Sequence, residues 1–148
     1  MHLAAKNGHL EVVRAVVEAG ADITARGEWG RTALHSASRV GHGAIAEYLL
    51  SVGADVCAVD DDGNHPLHSA AKYGRLDVVR TLHAAGGDIT ARGQRGRTAL
   101  QDAIDGGHDA VVMYLVSVGS AVCAVDGHGN EALHYASREG RLEVVRAL

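Results

Sequence analysis

Phenylalanine is absent from the 148 residues, tryptophan and proline occur once each, and cysteine occurs twice. With so few large rings, one thick core is disfavoured, and alanine and glycine must do much of the filling. That composition suits helices packed closely in thin layers. An excess of positive charge is missing too. Fourteen Lys and Arg face 18 Asp and Glu, for a net charge of −4, which disfavours a general nucleic-acid binder. No apolar run approaches the roughly 18 residues of a membrane span, and no signal peptide is visible at the start.

Glycine is plentiful, and it recurs. Gly8, Gly41, Gly74, Gly107 and Gly140 are spaced by 33 residues, as are Gly20, Gly53, Gly86 and Gly119. His2, His35, His68 and His134 keep the same interval, with Gln101 in the missing slot. A fixed period of this size marks stacked repeats. A longer unit lies above it: Ala19 to Asn64 aligned on Ala85 to Asn130 gives 29 identities in 46 positions, as if a two-repeat module were duplicated.

The repeated stretch reads Thr32-Ala33-Leu34-His35-Ser36-Ala37, then His65-Pro66-Leu67-His68-Ser69-Ala70. It returns as Thr98-Ala99-Leu100-Gln101-Asp102-Ala103 and Glu131-Ala132-Leu133-His134-Tyr135-Ala136. These residues resemble the ankyrin repeat. The resemblance covers the whole chain. It implies an all-α repeat solenoid of stacked helix-turn-helix layers with β-hairpin fingers. The chain then holds three full repeats and two partial ones, in a single array over 1–148 divided roughly at 1–26, 27–59, 60–92, 93–125 and 126–148.

Local signals place the elements. Thr32 is expected to cap a helix over Ala33 to Val40 that Gly41 ends, and Pro66 suits a first helical position. Gly27 and Gly30 around Glu28 and Trp29 read as a tight tip. Gly27 and Gly93 stand where the family keeps the aspartate seen at Asp60 and Asp126. Gln101 in place of histidine is expected to soften the fourth repeat. Cys57 and Cys123 occupy equivalent slots two layers apart, roughly 20 Å by helix spacing, beyond the reach of a disulfide. They are expected to be small buried thiols, in keeping with an intracellular, cytoplasmic protein.

Catalytic and metal chemistry find little support. The histidines on the 33-residue register are expected to be structural. His65 and His68 alone lack the further ligands that zinc takes. Asp60-x-Asp62-x-Asn64 resembles the start of a calcium loop, but the sixth position is His65 and the twelfth Ala71. No phosphate-cradling glycine loop, serine elbow or metalloprotease histidine pair occurs. The expectation is no enzyme, no cofactor and no metal.

The resemblance implies a concave partner-binding surface built from finger tips and inner helices. In the first and second repeats its residues are Arg26, Glu28, Trp29, Arg31 and Arg39. The third repeat adds Asp61, Asp62, Asn64, Lys72 and Tyr73. Arg92, Arg95 and Arg97 follow from the fourth, and His128 and Arg138 from the fifth. The full surface gathers nine of the 14 cations and five of the 18 carboxylates, a net +4 on an acidic protein. Such segregation steers an acidic segment of another protein. Trp29 is the sharpest single contact, because tryptophan is enriched at binding hot spots. The expected function is an adaptor or scaffold module. The alternative is a structural subunit of a larger assembly, contacting through the convex face or through ends covered by further repeats or a neighbouring subunit.

Overall fold

A computed structural model describes residues 1–148. Ten helices form five pairs: α1 (His2–Lys6) with α2 (Leu10–Glu18), α3 (Ala33–Val40) with α4 (Gly43–Ser51), and α5 (Pro66–Lys72) with α6 (Leu76–Ala84). Then come α7 (Ala99–Gly106) with α8 (Asp109–Ser117), and α9 (Ala132–Arg138) with α10 (Leu142–Ala147). The odd-numbered helices stack on one another along one side, and the even-numbered ones along the other. The result is a helical repeat solenoid.

The core follows the repeat. Leu34, Leu67 and Leu100 lie fully buried at one position of successive inner helices, and Val13, Ala46, Val79 and Val112 at one position of successive outer helices. Ten of the 25 buried apolar residues are alanine, and such short side chains are what let adjacent layers approach. Leu133 holds the next slot of the leucine ladder but is exposed, with α9 packed on α7 and α10.

Helices α3 and α7 start with the same device. The Thr32 hydroxyl accepts from His35 N–H, and Nδ1 of the His35 ring accepts from Thr32 N–H at 3.2 Å. Thr98 and Gln101 repeat this exchange. Both partners satisfy orphan donors at a helix start. The far side of the ring then crosses to the next layer. His35 Nε2 donates to Asn64 O at 2.9 Å, and His68 Nε2 reaches Ala91 O and Arg97 O at 3.2 and 3.1 Å. His2 makes the equivalent bonds to Ala25 O and Arg31 O, both at 3.0 Å.

Gln101 keeps the bonds of its slot in the fourth repeat. Its Oε1 accepts from Thr98 N–H at 2.9 Å, and its amide nitrogen donates to Ala124 O and Asn130 O at 3.0 and 2.8 Å. A primary amide presents the same acceptor and donor as a neutral imidazole, so the link is kept. His134 departs from the register: Nδ1 accepts from Glu131 N–H, but the ring is exposed and Nε2 meets no acceptor in the chain.

The loops between layers hold no β-strand. Each closes with one backbone bond across its base: Gly27 N–H to Arg31 O, Asp60 to Asn64, Gly93 to Arg97 and Asp126 to Asn130. The cysteines correct the sequence expectation, since Cys57 and Cys123 are both exposed. Val56 and Val122 pack against the core within turns closed by Ala58 N–H to Asp55 O and Ala124 N–H to Ala121 O, and the neighbouring thiol faces water.

Burial holds His68 down to about 4, against an ordinary histidine value of 6.5. The unfolded chain takes the proton first, so this neutral ring's contribution to stability is present above pH 6.5 and is lost as pH falls towards 4. Replacing His68 by Gln, as the chain itself does at position 101, should leave stability at pH 7.5 within about 1 kcal/mol. It should also remove up to about 3 kcal/mol of acid destabilisation. Urea unfolding at pH 7.5 and pH 4.5 measures both.

Candidate functional site

The loop tips are tied into a row. Asp61 N–H donates to Trp29 O at 3.0 Å and Gly127 N–H to Arg95 O at 2.7 Å. To aim those carbonyls, Trp29 and Arg95 adopt left-handed backbones, with φ of 61° and 58°. Such values are uncommon for residues with a side chain and cost on the order of 1–2 kcal/mol. The second and third loops are joined differently. Asn64 Oδ1 accepts from Gln94 N–H at 2.9 Å, and Asp62 accepts from the Gln94 side chain at 2.9 Å. At Gly93 a Cβ would lie 2.5 Å from Asn64 Oδ1 and 2.9 Å from the His68 ring. That close approach explains glycine where Asp60 and Asp126 stand in the neighbouring loops.

Most of the expected cations have work within the fold. Arg26 donates to Val59 O at 2.6 Å and lies 3.5 Å from Asp61. Arg31 is 3.6 Å from Asp60, whose Oδ1 accepts from the Asp62 and Asn64 backbone. Arg92 donates to Gly96 O and Val125 O. Arg97 stands 3.2 Å from both Asp102 and Asp105 and lies over the Tyr135 ring. Arg138 pairs with Asp105 and Glu139, and His128 donates its backbone N–H to Asp126.

Three cations of the expected surface have no carboxylate within salt-bridge distance and share one recess: Arg39, Lys72 and Arg95. The recess holds about 320 Å3 and opens between the inner helices α3, α5 and α7 and the loop tips. Tyr73 also lines it, with the Arg39 guanidinium 5.9 Å from the ring centre. A second recess of about 300 Å3 adjoins it, sharing Arg31 and Arg39. Leu3, 72% exposed, and Trp29, 67% exposed, are its apolar members, with Glu28 beside them.

The +4 count changes with the coordinates. Asp60, Asp102 and Asp126 sit buried beneath the same face, where the sequence count omitted them. Asp102 was legible in part: its slot is serine at Ser36 and Ser69. Leu3 was legible in the same way, since it shares that slot with Ser36, Ser69 and Asp102 and lies off the buried leucine ladder.

Asp102 is the most perturbed carboxylate of the polar recess. Burial raises it from 3.8 to about 6, against the pull of Arg97 and Lys72. Asp126 shifts the other way, held far below the usual range although burial alone would raise it. The Tyr135 hydroxyl and the Asn130 and His128 N–H groups all donate to it. No three His, Cys, Asp or Glu side chains converge in a way that would hold a metal ion, and no helix is long and apolar enough to cross a membrane.

The arrangement is a stack of helix pairs presenting a continuous face of side chains, and this defines a helical-repeat solenoid. The family model described as ankyrin repeats (3 copies) matches residues 1–93 and again 85–148. The chain belongs to the ankyrin-repeat family. Ankyrin repeats are generally protein–protein interaction modules and typically non-enzymatic. No curated protein matches this chain.

Because Asp102 is raised, its contribution to stability is present below about pH 4 and is lost as pH rises through 6. This runs opposite to His68 over the same window. Asp102→Asn, which leaves Arg97 paired with Asp105, should stabilise the protein by about 1–3 kcal/mol at pH 7.5 and by nothing below pH 4. Thermal melts at the two pH values measure this, and a destabilised variant at pH 7.5 contradicts it.

Proposed function

We propose that this chain is an adaptor or scaffold module that holds a segment of another protein on the face made by its loop tips and inner helices. The observation that carries this reading is the convergence of Arg39, Lys72 and Arg95 in one recess. A protein with net charge −4 keeps three unpaired cations together there, while the arginines around them are paired. Uncompensated charge of one sign in a recess attracts the opposite sign and speeds encounter, so the segment held there is acidic. Glu28, Trp29, Asp61, Asp62, Asn64 and Tyr73 form the rest of the contact surface, with Arg26, Arg31, Arg92, Arg97, His128 and Arg138 fixing its shape. The array over 1–148 acts as one unit in this reading, inside the cell and without a cofactor.

A second reading has one observation in its favour. Leu133 and Leu142 are exposed on the last helix pair, Leu142 to 58%, and a structural subunit would use such an apolar end. A partner found buried against Leu142, Val145 and Leu148 would support that reading.

The two are separated by charge reversal. Arg97 is unsuited to the test, because it neutralises Asp102 and Asp105. Lys72→Glu with Arg95→Glu should weaken capture of partners identified by affinity purification and mass spectrometry about 10-fold, at roughly 1 kcal/mol or less per exposed charge. The wild-type interaction should fade with added salt. Capture that is unchanged by both reversals removes the loop-tip reading.

A further inference from the structure

The two adjoining recesses differ in chemistry, and that difference defines a ligand. One presents Leu3 and Trp29, large apolar side chains that the fold leaves exposed. The other presents Arg39, Lys72 and Arg95. Resting on the adaptor reading above, we propose that the two recesses read one extended peptide bearing a bulky apolar residue and an Asp or Glu three or four positions apart.

The carboxylates of the polar recess do not cancel its cations. Asp60 is engaged by Arg31 and by two backbone N–H groups, and Asp102 by Arg97. Asp105 is held between Arg97 and Arg138. Asp62 is the remaining negative group, and it accepts from neutral Gln94. The lining as a whole holds five cations against four carboxylates, a net +1 that leaves room for an incoming acid.

The apolar recess carries cations too, with Lys6, Arg31 and Arg39 in its lining beside Glu28, but Leu3 and the exposed indole add the apolar area that the polar recess lacks. The Trp29 indole is held out from the fold because the left-handed backbone at its position serves the bond from Asp61. A rigid aromatic on a fixed tip loses little freedom on binding.

The spacing follows from the stack. The apolar recess is bounded by α1, α3 and the first loop, and the polar one by α3, α5, α7 and the second and third loops. Their centres lie one to one and a half layers apart, roughly 10–15 Å at the usual helix spacing. An extended chain covers that in roughly three to four residues. Arg39 stands between the recesses and belongs to both.

Trp29 is the only tryptophan, so its emission reports on the apolar recess directly. The test is selection of random 12-residue peptides displayed on phage against the wild-type chain, followed by fluorescence titration of the winners as synthetic peptides. Winners should share a large apolar residue three or four positions from Asp or Glu, and should shift the Trp29 emission. Lys72→Glu with Arg95→Glu should weaken them at least about 10-fold, and a peptide with its acid changed to Lys should recover affinity for that variant. Lys72→Ala with Arg95→Ala serves as the milder pair should the reversal disturb folding. Trp29→Asn keeps a residue that tolerates the left-handed backbone and should weaken binding by a similar factor. Winners that shift the emission but carry no acid at that spacing overturn this inference and leave the adaptor reading standing. Winners that bind without touching Trp29 emission or responding to the charge variants overturn both, and a selection that enriches nothing overturns the inference.

Discussion

A neutral ring or amide reaching from one layer into the loop of the next is the interaction on which this architecture depends. One end of His35, His68 or Gln101 accepts an N–H at the start of its own helix, and the other donates to a carbonyl of the following loop. The side chain must therefore be an acceptor and a donor at once. A protonated imidazole has two donors and no acceptor, so burial of these rings and the bond pattern agree on the neutral form. Gln101 meets the same requirement without a titrating group.

Fixing the loops in this way has consequences at their tips. The tips bond to their neighbours through backbone carbonyls between the first and second loops and between the third and fourth. Between the second and third they bond through the side chains of Asn64, Asp62 and Gln94. The 46-residue duplication seen in the sequence thus appears as an alternation of loop types, glycine-based at Gly27 and Gly93 and aspartate-based at Asp60 and Asp126. The polar recess opens at the side-chain joint. The strain at Trp29 and Arg95 belongs to the same design, since these are the residues whose carbonyls bridge to the next loop.

Much of the fold was legible because the period constrains each layer equally. The helix over Ala33–Val40 and the start at Pro66 follow from Thr32, Gly41 and proline alone. What failed to read depends on direction or on partners from other layers. Cys57 looked like a core thiol by size, but Val56 takes the inward position. Gln101 looked like a defect by identity, but its amide atoms replace those of the ring. The charge of the proposed binding face was overstated because Asp60 and Asp102 lie beneath it, and which arginines they neutralise is set by contacts between repeats. Arg39, Lys72 and Arg95 were visible as cations, and only the coordinates bring them to one recess.

The histidine rings allow the most direct test. Nitrogen-15 NMR of the imidazoles distinguishes a bare ring nitrogen from a protonated one and follows each with pH. The cross-layer link requires that His35 and His68 carry their proton on Nε2 with Nδ1 bare, and that His68 remain so down to about pH 5, since burial holds it to about 4. Rings that titrate near 6.5, or that carry the proton on Nδ1, would contradict the link.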